Sequence, residues 1–474
     1  MSESGKKSLP VLNEPPVGSL NSDGTRNFVQ PADVRGRFQN VRYVVFAALL
    51  VVYLALPFIQ IGGAPAVFLD IVHRRFHLFG ATFNAQDFWM VFLLLFGIIF
   101  ALVVVTTLWG RIWCGYACPQ TVFLEGLYRK VERFLEGPRN ERIRRNQAPM
   151  SFDKLWRKGL KHGIFLVLSF GIAHVFLSYF VSLPSLWTMM HGSPAAHPVA
   201  FAWSMAMTLV LYFNFAWFRE QLCLIICPYG RLQSALTDED TMVIGYDVGR
   251  GEPRGKKRKA ATEEKGDCID CGRCVAVCPT GIDIRNGLQM ECIGCAACVD
   301  ACDEVMRKVK RPEGLVRYDS SRQLAGGKAR TMRGRLALYG AVSVVWVLGM
   351  IFAVRTHEPF EANLLRPPGG TPFVVNDGVV QNTLQVHLVN KEDHPITFRL
   401  EDVGTEPVTL VIPQPEVRLD AGENRHVPLL ARVPVEQMGE LQATVRVRAE
   451  GLEEEHERVL TAPLLGPRGA EGER

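Results

Sequence analysis

The residues best equipped for chemistry are cysteines in two runs. The first reads Cys268-x-x-Cys271-x-x-Cys274-x-x-x-Cys278-Pro279, and the second Cys292-x-x-Cys295-x-x-Cys298-x-x-x-Cys302. Three thiolates at this spacing can wrap one iron–sulfur cube, and a fourth, set off by three residues, points away to complete a neighbouring cube. The pattern predicts two [4Fe-4S] clusters with crossed ligation. Cys268, Cys271, Cys274 and Cys302 would hold one, and Cys292, Cys295, Cys298 and Cys278 the other. Structural zinc sites use two cysteine pairs separated by a longer loop, which makes zinc the poorer reading. Asp303 stands where a second proline is expected, which alters the polarity beside one cluster without removing a ligand.

The remaining cysteines form two short motifs, Cys114-Gly-Tyr-Ala-Cys118-Pro119 and Cys223-Leu-Ile-Ile-Cys227-Pro228. Cysteines four apart lie on one helical face, so each pair can offer two sulfurs to one partner, and the following proline is expected to end or kink the helix. Facing one another, Cys114, Cys118, Cys223 and Cys227 would form a four-thiol site. Soft thiolates select Cu(I), zinc or iron–sulfur clusters over hard cations. The bland alternative is buried cysteine packing helix ends, which two near-identical pairs at equivalent positions argue against. Met189, Met190, His191 and His197, with Met205 and Met207 nearby, suit a copper entry path by ligand type, although methionines in apolar helices commonly serve packing. Only His174 lies well inside an apolar run, with His162 near a boundary, so a bis-histidine haem b is disfavoured. No Gly-rich nucleotide loop stands between a strand and a helix.

Long apolar runs flank the cysteine-rich centre of this 474-residue chain, of which 48% is hydrophobic. They predict an α-helical membrane protein with five transmembrane helices: about 44–61, 88–108, 163–183, 200–218 and 336–354. All twelve cysteines fall in motifs, and free thiolate clusters belong in a reducing compartment. Arg35, Arg37 and Arg42 before the first span, and a basic stretch over 129–158, place the amino terminus and the clusters inside; the 184–199 loop, without Lys or Arg, falls outside. Topology accounts for that base, and interleaved Glu125, Glu132, Glu136 and Glu141 dilute it, so nucleic acid is not expected as a partner. The predicted organisation is a disordered tail (1–38) and a four-helix membrane region (39–221). An inserted cytoplasmic double-cluster ferredoxin-like domain (222–334), entered through a flexible 249–266 linker, precedes the fifth span (335–355). The alternating runs after it, among them 383–389, 397–400 and 443–448, predict a C-terminal periplasmic Ig-like β-sandwich (356–474) of six or seven strands. Its His387 and His394 read as solvated or packed.

The arrangement resembles the CcoG family, also called FixG or RdxA, accessory proteins of cbb(3)-type cytochrome c oxidase. The residues that carry the resemblance are Trp113-Cys114-Gly115-Tyr116-Ala117-Cys118-Pro119-Gln120-Thr121, the Cys223/Cys227 pair, the double ferredoxin run, the last span and the sandwich. The resemblance implies a multi-pass protein of the bacterial cytoplasmic (inner) membrane that reduces Cu(II) to Cu(I) for the oxidase's copper centre. It also implies a copper-exporting P-type ATPase, copper chaperones and oxidase subunits as partners. Cys114, Cys118, Cys223 and Cys227 are then the expected copper residues, with electrons entering from a cytoplasmic donor or a membrane quinol. Two other functions fit the same residues: a quinol-linked membrane ferredoxin feeding a periplasmic reductase, and a non-enzymatic oxidase assembly scaffold.

Overall fold

The computed structural model describes residues 28–61, 64–71, 75–83, 88–255, 266–328, 330, 333–356, 358–369, 371–392, 394–451 and 456–467. Five helices among them are long and apolar enough to cross a membrane: Arg37–Ala55, Trp89–Trp109, Phe152–Leu177, Pro198–Phe218 and Gly334–Arg355. The first ends earlier than its apolar run, because Pro57 stops it, and Gln60–Ile61 already pairs as a strand with Ala64–Pro65. The third begins earlier than its apolar run, because Ser151 caps it by accepting from the Lys154 amide at 3.3 Å.

The described chain divides into two compact units, one drawn from Met1–Ile59 and Leu93–Val347, the other from Gln60–Phe92 and Leu348–Arg474. In the first, the Tyr128 ring is fully buried between Phe215, stacked at 4.4 Å, and Phe165, edge-on at 4.9 Å, and its hydroxyl meets Ser169 Oγ at 2.8 Å. The Trp346 indole N–H donates to the Leu93 carbonyl at 2.9 Å, joining the fifth span to the second. Two arginines of the basic 129–158 stretch, Arg129 and Arg142, belong to a buried ion network. Arg129 pairs with Glu125 and with Glu220 (3.2 Å), Glu132 takes Arg219 and Arg142 (3.7 Å), and Lys161 holds Glu136 at 2.9 Å. The glutamates that seemed to dilute the charge are its partners.

The cysteine-rich segment is built on a two-stranded antiparallel sheet, Met242–Tyr246 with Val316–Ser320, and the helix Ala297–Lys308. Part of the expected disordered tail is ordered against it; residues 1–27 of that tail lie outside the described residues. The Ala32 amide donates to the Ala276 carbonyl at 2.8 Å, and Arg139 and Arg142 bind the carbonyls of Gln30 and Pro31. A segment that docks mainly through its backbone carries no apolar period, so its docking leaves no pattern to read. The first span has no side-chain cap of its own; Asp300, from Ala297–Lys308, accepts from the Phe38 and Gln39 amides at 3.3 and 2.7 Å. The expected flexible linker is pinned at its described ends, with Gly255 N–H on the Cys268 carbonyl (2.9 Å) and Gly266 N–H on that of Pro253 (3.1 Å); residues 256–265 lie outside the described residues.

The second unit holds the sandwich. One sheet runs in the order Thr409–Val411, Asn424–Pro434, Val379–Asn390, Phe360–Leu365, with Val374–Asn376 also on Val379–Asn390; the other runs Glu416–Leu419, Ile396–Asp402, Gln442–Glu450, His456–Pro463. Alternate residues of both sheets, such as Leu384, Val386, Phe398 and Val445, form one core. Strands as short as Val374–Asn376 and Thr409–Val411 show no readable alternation, so the sequence count fell short. In the same unit the Arg75 guanidinium donates to the Gly422 carbonyl at 2.5 Å.

Candidate metal centres

Two cavities open among the ferredoxin-type cysteines. Cys268, Cys271, Cys274 and Cys302 line one of about 360 Å³. Cys278, Cys292, Cys295 and Cys298 line the other, of about 330 Å³, and Cys274 reaches its wall too. The chain reaches this arrangement by the same turn twice. The residues flanking the second cysteine of each run are left-handed: Asp270 (φ 54°) and Gly272 (φ 64°), then Gly294 (φ 66°) and Ala296 (φ 57°). Such turns fold successive amides into a concavity that suits anionic iron–sulfur groups. After each turn a helix starts, Arg273–Ala276 or Ala297–Lys308, and carries the third cysteine. Burial pushes the Cys274 thiol up to about 11 and those of Cys292 and Cys302 up to about 12. Thiols this unwilling to ionise alone become ligands when cationic iron displaces their protons. Donor set, cavities and turns therefore fit two clusters. Asp303 is tied to the Gly314 amide at 2.9 Å, and its carboxyl is also pushed up by burial.

The two Cys-x-x-x-Cys-Pro motifs share a second repeated geometry. The Cys118 amide donates five residues back to the Trp113 carbonyl at 2.9 Å, and the Cys227 amide to the Leu222 carbonyl at 2.8 Å. Cys118 and Cys227 are both extended, and the proline after each opens a new helix, Pro119–Phe123 or Pro228–Leu236. The preceding helices end at Tyr116 and Ile226, as expected, and each proline also starts a new helix, since its missing N–H costs nothing at the first helical position. The turns gather all four thiols. Cys114 is pushed up to about 12 by burial and then by Cys118 and Cys227, and Cys223 to about 12 by burial and then by Cys118, Cys114 and Cys227. Gln233 Nε2 donates to Cys114 Sγ at 3.6 Å. Among the described residues no three His, Cys, Asp or Glu side chains are preset around a single ion, so the thiols are collected without forming a finished cage.

The four-thiol site and the second cluster cavity share a wall. Cys114 packs on the core of Val277, Ile293, Cys295, Ala297 and Ala301. A Cβ on Gly115 would stand 2.8 Å from the Ile293 carbonyl oxygen and 2.9 Å from Cys295 Cα, so only glycine permits this approach. Arg111 clamps the neighbouring loops, donating to the carbonyls of Met290 and Gly230 (2.6 Å). Sequence reasoning missed Arg111 and Gln233 and gave Gly115 no role; a glycine between two cysteines was the one available signal.

Other flagged residues have local partners. Both ring nitrogens of His174 are engaged, by the Phe170 carbonyl (2.8 Å) and Ser204 Oγ (3.1 Å), and His162 meets the Tyr212 hydroxyl at 3.0 Å. His191 contacts the Trp187 carbonyl at 2.9 Å on the helix Leu183–His191, which also carries Met189 and Met190; His197 directly precedes the helix Pro198–Phe213 that carries Met205 and Met207. His387 stacks on His426 at 4.4 Å across the strand ladder, and His394 meets the Gly451 carbonyl at 3.1 Å.

Residues 218–321 match the family described as 4Fe-4S dicluster domain, 89–138 the 4Fe-4S binding domain, and 350–463 the IG-like fold at the C-terminus of FixG. The nitrogen fixation protein FixG of Rhizobium meliloti (strain 1021) is 36% identical over 425 residues, 81% of either chain. The chain belongs to the FixG/RdxA family. Protein RdxA of Cereibacter sphaeroides is 36% identical over 399 residues (80% of this chain, 83% of RdxA), and its RdxB 35% over 407 (82% and 84%). As a FixG/RdxA protein it is a membrane-spanning iron–sulfur electron-transfer protein with an Ig-like C-terminal domain.

Proposed function

We propose that this chain reduces Cu(II) to Cu(I) at Cys114, Cys118, Cys223 and Cys227, serving assembly of the copper centre of a cbb(3)-type cytochrome c oxidase. The observation that carries the reading is that Cys114 packs on the core that also holds Cys295 of the second cluster cavity, while Cys118, Cys223 and Cys227 stand near enough to act electrostatically on it or on one another. Cys268, Cys271, Cys274 and Cys302 would hold one [4Fe-4S] cluster, and Cys278, Cys292, Cys295 and Cys298 the other. When bound, these groups supply one-electron carriers. The protein's own residues set the copper end: burial withholds water, Gln233 orients Cys114, and thiolates bind Cu(I) better than Cu(II), which draws the reduction forward. In this reading the clusters and the amino terminus lie in the bacterial cytoplasm and the sandwich in the periplasm, which the positive-inside charge pattern supports. A copper-exporting P-type ATPase, copper chaperones and oxidase subunits are the proposed partners.

The test is an anaerobic titration of the reduced, purified protein with Cu(II) in the presence of a Cu(I)-specific chelator. Cu(I) should appear as the visible cluster absorbance reoxidises, one electron per copper. Serine at the four cysteines should abolish this while leaving cluster absorbance; copper reduction that survives those substitutions rejects the site. One observation favours a second reading, since the 4Fe-4S binding match at 89–138 spans Cys114 and Cys118. If the four thiols hold a further iron–sulfur centre, the chain is an electron relay, and iron and sulfide will exceed two clusters' worth.

A further inference from the structure

The residues that would pass electrons inward lie beside a groove whose composition identifies the donor. The groove is open on one side, and Cys292 forms part of its wall. It lies at the end of the second span, where Trp109 and Gly110 meet the strand Met242–Tyr246 and the loop 288–294. Trp109, Met242 and Tyr318 also line a wider apolar cavity bounded by Phe38, Val41 and Val105 of the first two spans.

Two features point to the occupant. Leu288 (56%) and Met290 (55%) are exposed at the mouth, beside exposed Trp109 and Met242. Large apolar side chains at the end of a span are at home in the bilayer interface, so the mouth opens to ligands dissolved in lipid, not water. Inside, Gln233 lines the groove, is completely buried, and its Oε1 has no hydrogen-bond partner. The Tyr229 hydroxyl and Cys114 already engage this side chain, which leaves Oε1 as its remaining acceptor for a ligand hydroxyl.

We propose that a membrane quinol binds in this groove as electron donor, its ring beside Trp109 and Tyr318 and one hydroxyl donating to Gln233 Oε1. Arg111, on the groove wall, is fixed by donating to the carbonyls of Met290 and Gly230. The proposal rests on the copper-reductase reading for the fate of the electrons. One quinol loses two O–H bonds and becomes quinone, two protons pass to water, and two Cu(II) ions become Cu(I). The ring lies against the wall that carries Cys292.

The experiment uses the full chain in lipid nanodiscs and a photoreactive azidoquinone, with fragments mapped by mass spectrometry. Label should fall within 105–113, 237–244 or 288–294, and excess unlabelled quinone should remove it. Label elsewhere, or label that quinone does not compete away, overturns the proposal; the latter means the groove holds lipid. In parallel, dithionite-reduced protein is mixed with a short-chain quinone in stopped flow. Gln233→Leu should slow reoxidation about tenfold, the size of one lost hydrogen bond to a buried acceptor, and Met290→Trp, which fills the mouth, should slow it too. Reoxidation of Met290→Trp by ferricyanide, which needs no groove, should not change. Equal quinone rates in variants and wild type, or a matching loss with ferricyanide in Met290→Trp, reject the site. Quinone reoxidation with no Cu(I) produced would leave the groove standing and remove copper as the acceptor.

Discussion

Gly115→Ala tests the wall between the four thiols and the second cluster cavity. The added methyl carbon would meet the Ile293 oxygen at 2.8 Å and Cys295 Cα and N at 2.9 and 3.0 Å. All three are backbone atoms, so no side-chain rotation relieves the clash and the loop must retreat by a sizeable fraction of an ångström. Overpacking of this kind costs about 1–3 kcal/mol. If the loop over 292–298 opens locally, that cost speeds its amide exchange by about five- to 150-fold. Hydrogen exchange of the full chain, read by mass spectrometry, gives this directly, and copper reduction should slow in the same variant. Gly163→Ala is the control, because a Cβ there meets nothing within 4 Å and helix propensity favours alanine. Exchange at 292–298 within about twofold of wild type in Gly115→Ala would show that the two centres do not share this wall.

Burial alone would raise the Glu132 carboxyl, but Arg219 and Lys161 outweigh it and hold it below its ordinary 4.5. A depressed carboxylate stabilises the fold above that value and loses its contribution as pH falls through the folded value. Glu132→Gln should therefore cost about 3–5 kcal/mol at pH 7 by leaving buried arginines unpaired, and should flatten the acid side of a Tm-against-pH curve. Gly97→Val should lower thermal stability by about 1–3 kcal/mol, because a Cβ at Gly97 already falls 2.0 Å from the Trp346 ring; indole fluorescence in detergent reports the ejected ring. In the sandwich, Asn390 Nδ2 serves the carbonyls of His394 (2.8 Å) and Asp420 (3.0 Å). Asn390→Leu should cost about 1–3 kcal/mol for each carbonyl left without a donor, measured by denaturant unfolding of the full chain.

What could be read beforehand follows from how local each cause is. Cysteine spacing and apolar runs are local, so the iron–sulfur domain and the five apolar helices were legible. The sandwich was legible where its strands were long enough to alternate, as at Val379–Asn390, and not at Thr409–Val411. The prolines after Cys118 and Cys227 marked the helix ends correctly but not the helices they also begin. The docking of residues 28–36 and the pairing of Glu132 with Arg219 join positions far apart in the chain, and neither leaves a period or motif. Gln233 gave no warning either, since its interest lies in what its oxygen lacks.

The cap supplied by Asp300 sets an order of events during synthesis. Phe38 leaves the ribosome 262 residues before the carboxylate that receives its amide. At about 5–20 residues per second, the first span waits roughly a quarter of a minute to a minute with its leading turn unfinished. Completion of the earliest membrane helix thus coincides with arrival of the helix that bears Cys298 and Cys302. A chain whose cysteine segment fails to fold leaves the Phe38 and Gln39 amides at the start of that helix without their carboxylate.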